Sequence, residues 1–187
     1  MKTVTLIAKG LGPVTMILLF LTTITSKAQT PASKVDFDAF EKLTHEVKEY
    51  RKDRLVNLEN FLKLSKEKDV LILDTRSEAM YKAKHVKGAV HLNFSDFTQA
   101  NLAKIIPSSS TKILIYCNNN FDNDQIYFAT KAAMPARLKD QKELTLALNI
   151  PTFINLYGYD YKNVYELSEL ISVFDSRIQF EGTSIKK

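Results

Sequence analysis

The chain has 187 residues, 26 Lys and Arg against 21 Asp and Glu, a formal charge of +5 and a single cysteine. That length suits one domain with a core of its own, and one cysteine rules out an internal disulfide. The basic excess includes Lys2, Lys9 and Lys27 near the start, and no Lys/Arg cluster is interleaved with aromatics, so no nucleic-acid partner is expected.

Lys2 and Lys9 precede an apolar stretch from Val14 to Ile24 and then Ser26-Lys27-Ala28, which predicts a secretory signal peptide cleaved after Ala28. The stretch falls short of the roughly 20 apolar residues that span a bilayer, and Thr22, Thr23 and Thr25 dilute its end. The mature chain is therefore expected to be exported, periplasmic or secreted, without stable membrane insertion. A lone thiol there must be tolerated or used.

After a polar linker with Pro31, Phe37, Phe40, Leu43, Val47 and Tyr50 recur at helical spacing, which predicts an amphipathic helix packed on the domain. Leu55-Val56 reads as a short strand and Leu58 to Leu64 as a short helix with Leu58, Phe61 and Leu62 inward. Val70-Leu71-Ile72-Leu73-Asp74 is the continuous apolar run of a parallel strand covered on both faces. Asp74-Thr75-Arg76-Ser77-Glu78 then leads into a short helix with Met80 and Tyr81. Asp74 is read as capping the turn, and Arg76 as pairing with Glu78 or another acid. His85 to Leu92 passes through Gly88 into a further strand. His85 and His91 have no other His or Cys at ligand spacing, so neither a metal nor another cofactor is expected. Phe94 to Ile106 reads as a loop and helix with Phe97, Leu102 and Ile105 inward.

Lys112 to Tyr116 follows the turn-forming Pro107-Ser108-Ser109-Ser110 and reads as a buried strand ending at Cys117. Ligands and chemistry collect at the carboxyl ends of strands in open α/β sheets, which makes Cys117 the candidate functional centre. Cysteine is also a common small core hydrophobe, and position alone does not separate the two readings. Beyond it, Gln125 to Ala133 is expected to be a helix with Ile126, Phe128, Ala129, Ala132 and Ala133 inward, ended by Pro135. Arg137 to Leu148 reads as a second, charged helix, Thr152 to Tyr157 as the last strand, and Tyr165 to Val173 as a closing helix. Tyr157, Tyr159, Tyr161 and Tyr165 either line a pocket or stack at a sheet edge. The alternation predicts an α/β fold, an open parallel sheet flanked by helices on both faces.

The strand ending Asp74-Thr75-Arg76, Glu78-x-x-Tyr81, His85-Val86-Lys87-Gly88-Ala89, the strand into Cys117 and the late Asn163-Val164-Tyr165-Glu166-Leu167 together resemble the rhodanese-like domain, in the family's order. The organisation expected is then a signal peptide at 1–28, a linker and amphipathic helix at 29–54, the rhodanese-like domain at 55–180 and a tail at 181–187. The resemblance implies sulfur transfer. Cys117 takes the outer sulfur of a small donor such as thiosulfate or a polysulfide as a persulfide and passes it to a thiol or cyanide. It also implies a loop of main-chain amides around the sulfur, carried onto Asn118, Asn119, Asn120, Phe121, Asp122 and Asn123, with Asp74, Arg76, Glu78, His85 and Gly88 as structural motif residues. Asparagine tolerates the left-handed angles that such a nest needs.

The chain departs from the family in several places. The loop carries no cation or glycine, and Asp122 would oppose an anionic donor unless it turns to solvent or pairs with a lysine. Lys84 and Lys87 replace the family's Gly and Pro, Lys131 to Leu148 is an extended connection, and the late Gly-Gly and Trp are absent. No Arg lies between Cys117 and Arg137, which sets aside the related phosphatases. Two readings follow: a persulfide-carrying sulfurtransferase, and a catalytically inactive binding module in which Cys117 is idle. Lys112 or Lys131 supplies the missing positive charge only if the fold brings one to the loop.

Overall fold

The computed structural model describes residues 32–133 and 144–185, so the expected signal peptide lies outside the described residues, as do 137–143 of the expected charged helix. Among the described residues no helix is long and apolar enough to cross a membrane. The chain divides into two units, Met1–Val35 and Asp36–Lys187, and every helix and strand named below belongs to the second.

That unit opens with α1 (Phe37–Tyr50), whose N-cap Asp36 accepts from the Ala39 amide at 2.9 Å, and a 3₁₀ turn over Arg51–Arg54. β1 (Leu55–Val56), α2 (Leu58–Leu64), β2 (Val70–Asp74), α3 (Glu78–Ala83), β3 (His85–Val86), β4 (Val90–His91), α4 (Gln99–Ile105) and β5 (Lys112–Tyr116) lead to the cysteine. Beyond it come β6 (Phe121–Asp122), β7 (Ala132–Ala133), β8 (Leu144–Thr145), α5 (Asn149–Gly158), β9 (Val164–Leu167), β10 (Ile171–Ser172) and β11 (Phe180–Glu181).

Five strands form one sheet in the order β1-β9-β5-β2-β4, with every neighbouring pair parallel. Side-chain alternation divides the core in two. Leu73, Ile113, Ile115 and Val164 face Val47 of α1, Leu102 of α4, and Phe153 and Leu156 of α5. Leu114, Tyr116 and Leu167 face Leu58 and Phe61 of α2, together with Phe121 and Phe128. Helices thus cover both faces, which is why β2 and β5 are unbroken apolar runs. From β2 the chain passes to β4 on one side and then to β5 on the other. The β2/β5 boundary is therefore the switch point where the loops part, and Cys117 and Arg76 both leave the sheet there.

The C-terminal half corrects the expected elements. Thr152 to Tyr157 lies in α5, not in a strand. Asn149, Thr152, Phe153, Leu156 and Tyr157 recur at helical spacing on its buried face, Ile154 is buried as well, and a short apolar run fits a buried helix as well as a buried strand. Tyr165 to Val173 is not a helix: Tyr165 to Leu167 belongs to β9, with period two, and Ile171–Ser172 is β10. Gln125 to Ala133 makes only one turn, closed by the Phe128 amide on the Asp124 carbonyl at 2.9 Å. The Gln125 carboxamide oxygen then takes the Thr130 amide at 3.1 Å, and the chain extends into β7, antiparallel to β8. Ile126 consequently faces solvent while Phe128 stays in the core. The described part of the expected charged helix includes strand β8. On α1, Val47 is buried but Phe37 and Phe40 are exposed, and Tyr157 and Tyr161 belong to the core rather than to a pocket.

Candidate active site

Alternation along β5 sends the Cys117 side chain to the same face as Ile113 and Ile115, the face that carries α5. The residue is only 1 % exposed. It borders a cavity of about 250 Å³ whose walls also include Arg76, Ser77, Met80, Asn118, Lys131 and Leu148. The Leu148 amide donates to Sγ at 3.2 Å. α5 has no side-chain cap, and Pro151 in its first turn has no N–H. The sulfur therefore accepts from an amide at the uncapped helix start and sits at the positive end of the helix dipole. Burial pushes the Cys117 thiol up, and the Leu148, Asn118 and Asn149 amides and Arg76 pull it back only in part.

The asparagines after Cys117 have separate tasks. Asn118 is 5 % exposed and its Oδ1 has no hydrogen-bond partner among the described residues. Asn119 clamps the Lys131 backbone from both sides, accepting its N–H at 2.7 Å and donating to its carbonyl at 3.0 Å. Asn120 accepts from the Cys117 amide at 2.9 Å and donates to the Leu167 carbonyl at 2.7 Å, tying the loop to the end of β9. Phe121 is a core residue. Asp122 is exposed, and its carboxylate accepts from the Asn123 amide at 2.7 Å. Asn123 takes a positive φ of 66°. The amides of Asn120, Phe121 and Asn123 go to Cys117 O, Asn118 O and Asp122 Oδ1. The hydrogen bond to the sulfur thus comes from Leu148 at the start of α5, outside the expected loop.

Arg76 approaches from the β2 side. Its guanidinium holds Asp74 with Nη2 at 2.6 Å from Oδ2, and also donates to the Lys84 carbonyl at 2.7 Å and the Tyr127 carbonyl at 2.9 Å. The Tyr116 hydroxyl donates to the same Asp74 oxygen at 2.5 Å. Burial alone would lower the Arg76 pKa, but the bonds to Asp74 prevail and the net shift is upward. The pairing partner is Asp74; Glu78 instead pairs with Lys82 on the surface. His85 stacks on Tyr81 at 3.8 Å, and Gly88, at φ 81°, donates its amide to Glu181 at 2.9 Å. Neither lines the cavity. Lys112 pairs with Glu67 at the far end of β5, whereas Lys131 reaches the cavity.

A third group includes Glu166, which stands in the late Asn163–Leu167 motif without an expected role at the site. Glu166, on β9, is 2 % exposed and accepts from Arg51 Nε at 2.5 Å, Arg51 Nη2 at 2.6 Å and Asn149 Nδ2 at 2.8 Å. Leu148 and Asn149 were also missed; the available signal was Pro151, which marks the first turn of a helix beginning at Asn149. For Glu166 and Arg51, far apart in the chain, local sequence carried no signal.

Fold and site define an α/β domain that presents one buried thiol at the carboxyl edge of a parallel sheet, facing a helix start. A family model described as Rhodanese-like domain matches residues 57–169, and the chain belongs to that family, which supports a function of the sulfurtransferase-family kind. Among solved structures the chain is similar to the crystal structure of the BH2092 protein from Bacillus halodurans. The identity is 16 % and the TM-score 0.45, over 77 % of this chain and 86 % of that one. Among curated proteins none matches.

Proposed function

We propose that the protein is a sulfurtransferase that carries sulfur as a persulfide on Cys117, with thiosulfate or a polysulfide as donor and a thiol or cyanide as acceptor. The thiol gives its proton to water, and the thiolate attacks the outer sulfur of the donor. The new bond joins Sγ to that sulfur, the donor's own S–S bond breaks, and sulfite or a shortened polysulfide leaves with the electron pair. An acceptor thiolate, or cyanide, then attacks the outer sulfur. A new persulfide or thiocyanate departs and the Cys117 thiolate returns, so no outside oxidant or reductant is needed.

The observation that carries this reading is the Leu148 amide at 3.2 Å from Sγ at the start of α5, a donor aimed where negative charge develops. Lys131 at the cavity supports an anionic donor, and Asp122, turned to its own backbone neighbour, is not among the lining residues. The positively charged start, the apolar stretch and Ser26-Lys27-Ala28 support export before the reaction.

The 1 % exposure of Cys117 and its raised pKa favour the second reading, a binding module with an idle thiol. Intact mass of the purified mature chain separates the two. Wild type treated with thiosulfate or polysulfide is expected to gain one sulfur that an acceptor thiol removes, and Cys117→Ser to gain none. A wild-type chain that neither donor charges, while alkylation reaches the thiol, would overturn sulfur transfer from these donors.

A further inference from the structure

Glu166 is a carboxylate buried mid-sheet beside Val164, Ile113 and Ile115, where an aliphatic side chain would cost nothing to desolvate. Two bonds from Arg51 neutralise it, and a third links it to the Nδ2 of Asn149. Asn149 is 9 % exposed, and its Oδ1 has no partner among the described residues, so the bond to Glu166 alone orients its carboxamide. The main-chain amide of the preceding residue, Leu148, donates to the Cys117 sulfur at 3.2 Å. The start of α5 has no side-chain cap of its own to fix its direction.

Building on the proposed persulfide chemistry, we infer that Asn149 and Glu166 are positioning residues, through which Arg51 and β9 hold the Leu148 amide at the start of α5 on the Cys117 sulfur. Glu166 acts through geometry: the charged residues that line the cavity beside the thiol are Arg76, from the turn after β2, and Lys131, before β7, and no described acid lines it. Without the tether the helix start rotates, the Leu148 bond to sulfur lengthens, and the thiolate loses stabilisation that the thiol never had.

The test is the rate of alkylation by iodoacetamide against pH, which reads the thiol whether or not sulfur is ever transferred. Asn149→Ala is expected to raise the apparent thiol pKa by about one unit, which slows alkylation at neutral pH about tenfold and leaves the alkaline plateau unchanged. Glu166→Gln, a weaker acceptor of similar shape, is expected to shift it the same way by less. Glu67→Gln, at the Lys112 pair on the opposite end of β5, is the control for general loosening. Unchanged profiles in both variants, or an equal shift in the control, would overturn the inference. If Asn149→Ala does not fold, Glu166→Gln decides alone. Failure of the sulfur-transfer reading shows separately, as a wild-type chain that takes up no sulfur.

Discussion

Two buried arginine–carboxylate pairs stand on either side of the Cys117 site, and they are built in opposite ways. Asp74 and Arg76 are two residues apart, both nearly sealed from solvent, and complete each other within one turn. Arg51 and Glu166 are 115 residues apart, and the Arg51 side chain keeps 27 % exposure. The local pair shapes the wall that Arg76 lends to the cavity, while the remote pair aims a helix. A short-range pair forms wherever its turn forms, but a long-range pair forms only once the sheet has closed, so each reports on a different level of the fold.

Removing Arg76 is the harshest way to break that comparison. Arg76→Ala leaves Asp74 buried with only the Tyr116 hydroxyl and the Arg76 main-chain amide for company, and it is expected to cost about 3–5 kcal/mol in urea unfolding. Arg51→Ala exposes Glu166 on a side that water reaches, and the same measurement is expected to show roughly 2 kcal/mol, while Cys117 alkylation at neutral pH slows as well. Equal losses from the two substitutions would erase the distinction.

Smaller effects sharpen it. Lys131→Met is expected to raise KM for thiosulfate several-fold, on the order of 1 kcal/mol of lost attraction at a solvated site, and to leave a neutral organic trisulfide unaffected. A parallel loss with both donors would remove Lys131 from donor recognition. On the α1 side, the Glu46 carboxylate accepts the Tyr157 hydroxyl bond, which with partial burial pushes that phenol up to about 12. A raised folded value means the contribution is complete below the unfolded phenol's pKa of about 10 and fades as pH climbs from there to about 12. Alkaline melts of Tyr157→Phe are expected to lack that fraction of the decline. An unaltered decline would show that the Glu46 bond does not link α1 to α5.

The first part of the domain was legible because each signal there was local. The apolar runs at Val70 to Asp74 and Lys112 to Tyr116 lie in the sheet where expected, and Met80 and Tyr81 lie in the short helix expected after Arg76. The reading failed from Gln125 onward. A buried helix and a buried strand are both apolar, so the run that forms α5 also fits a strand, and the residues of β9 also fit the start of a helix. The site divides in the same way. Cys117 at the end of β5 and Asp74-x-Arg76 beside it are consequences of sequence alone, since a strand end and a turn are short-range objects. Tertiary structure decided which amide donates to the sulfur, that Lys131 and not Lys112 reaches the cavity, and that Asp122 turns away from it. Those outcomes depend on how α5, β7 and β9 pack against β5, and packing brings together residues whose separation along the chain carries no record of their contact.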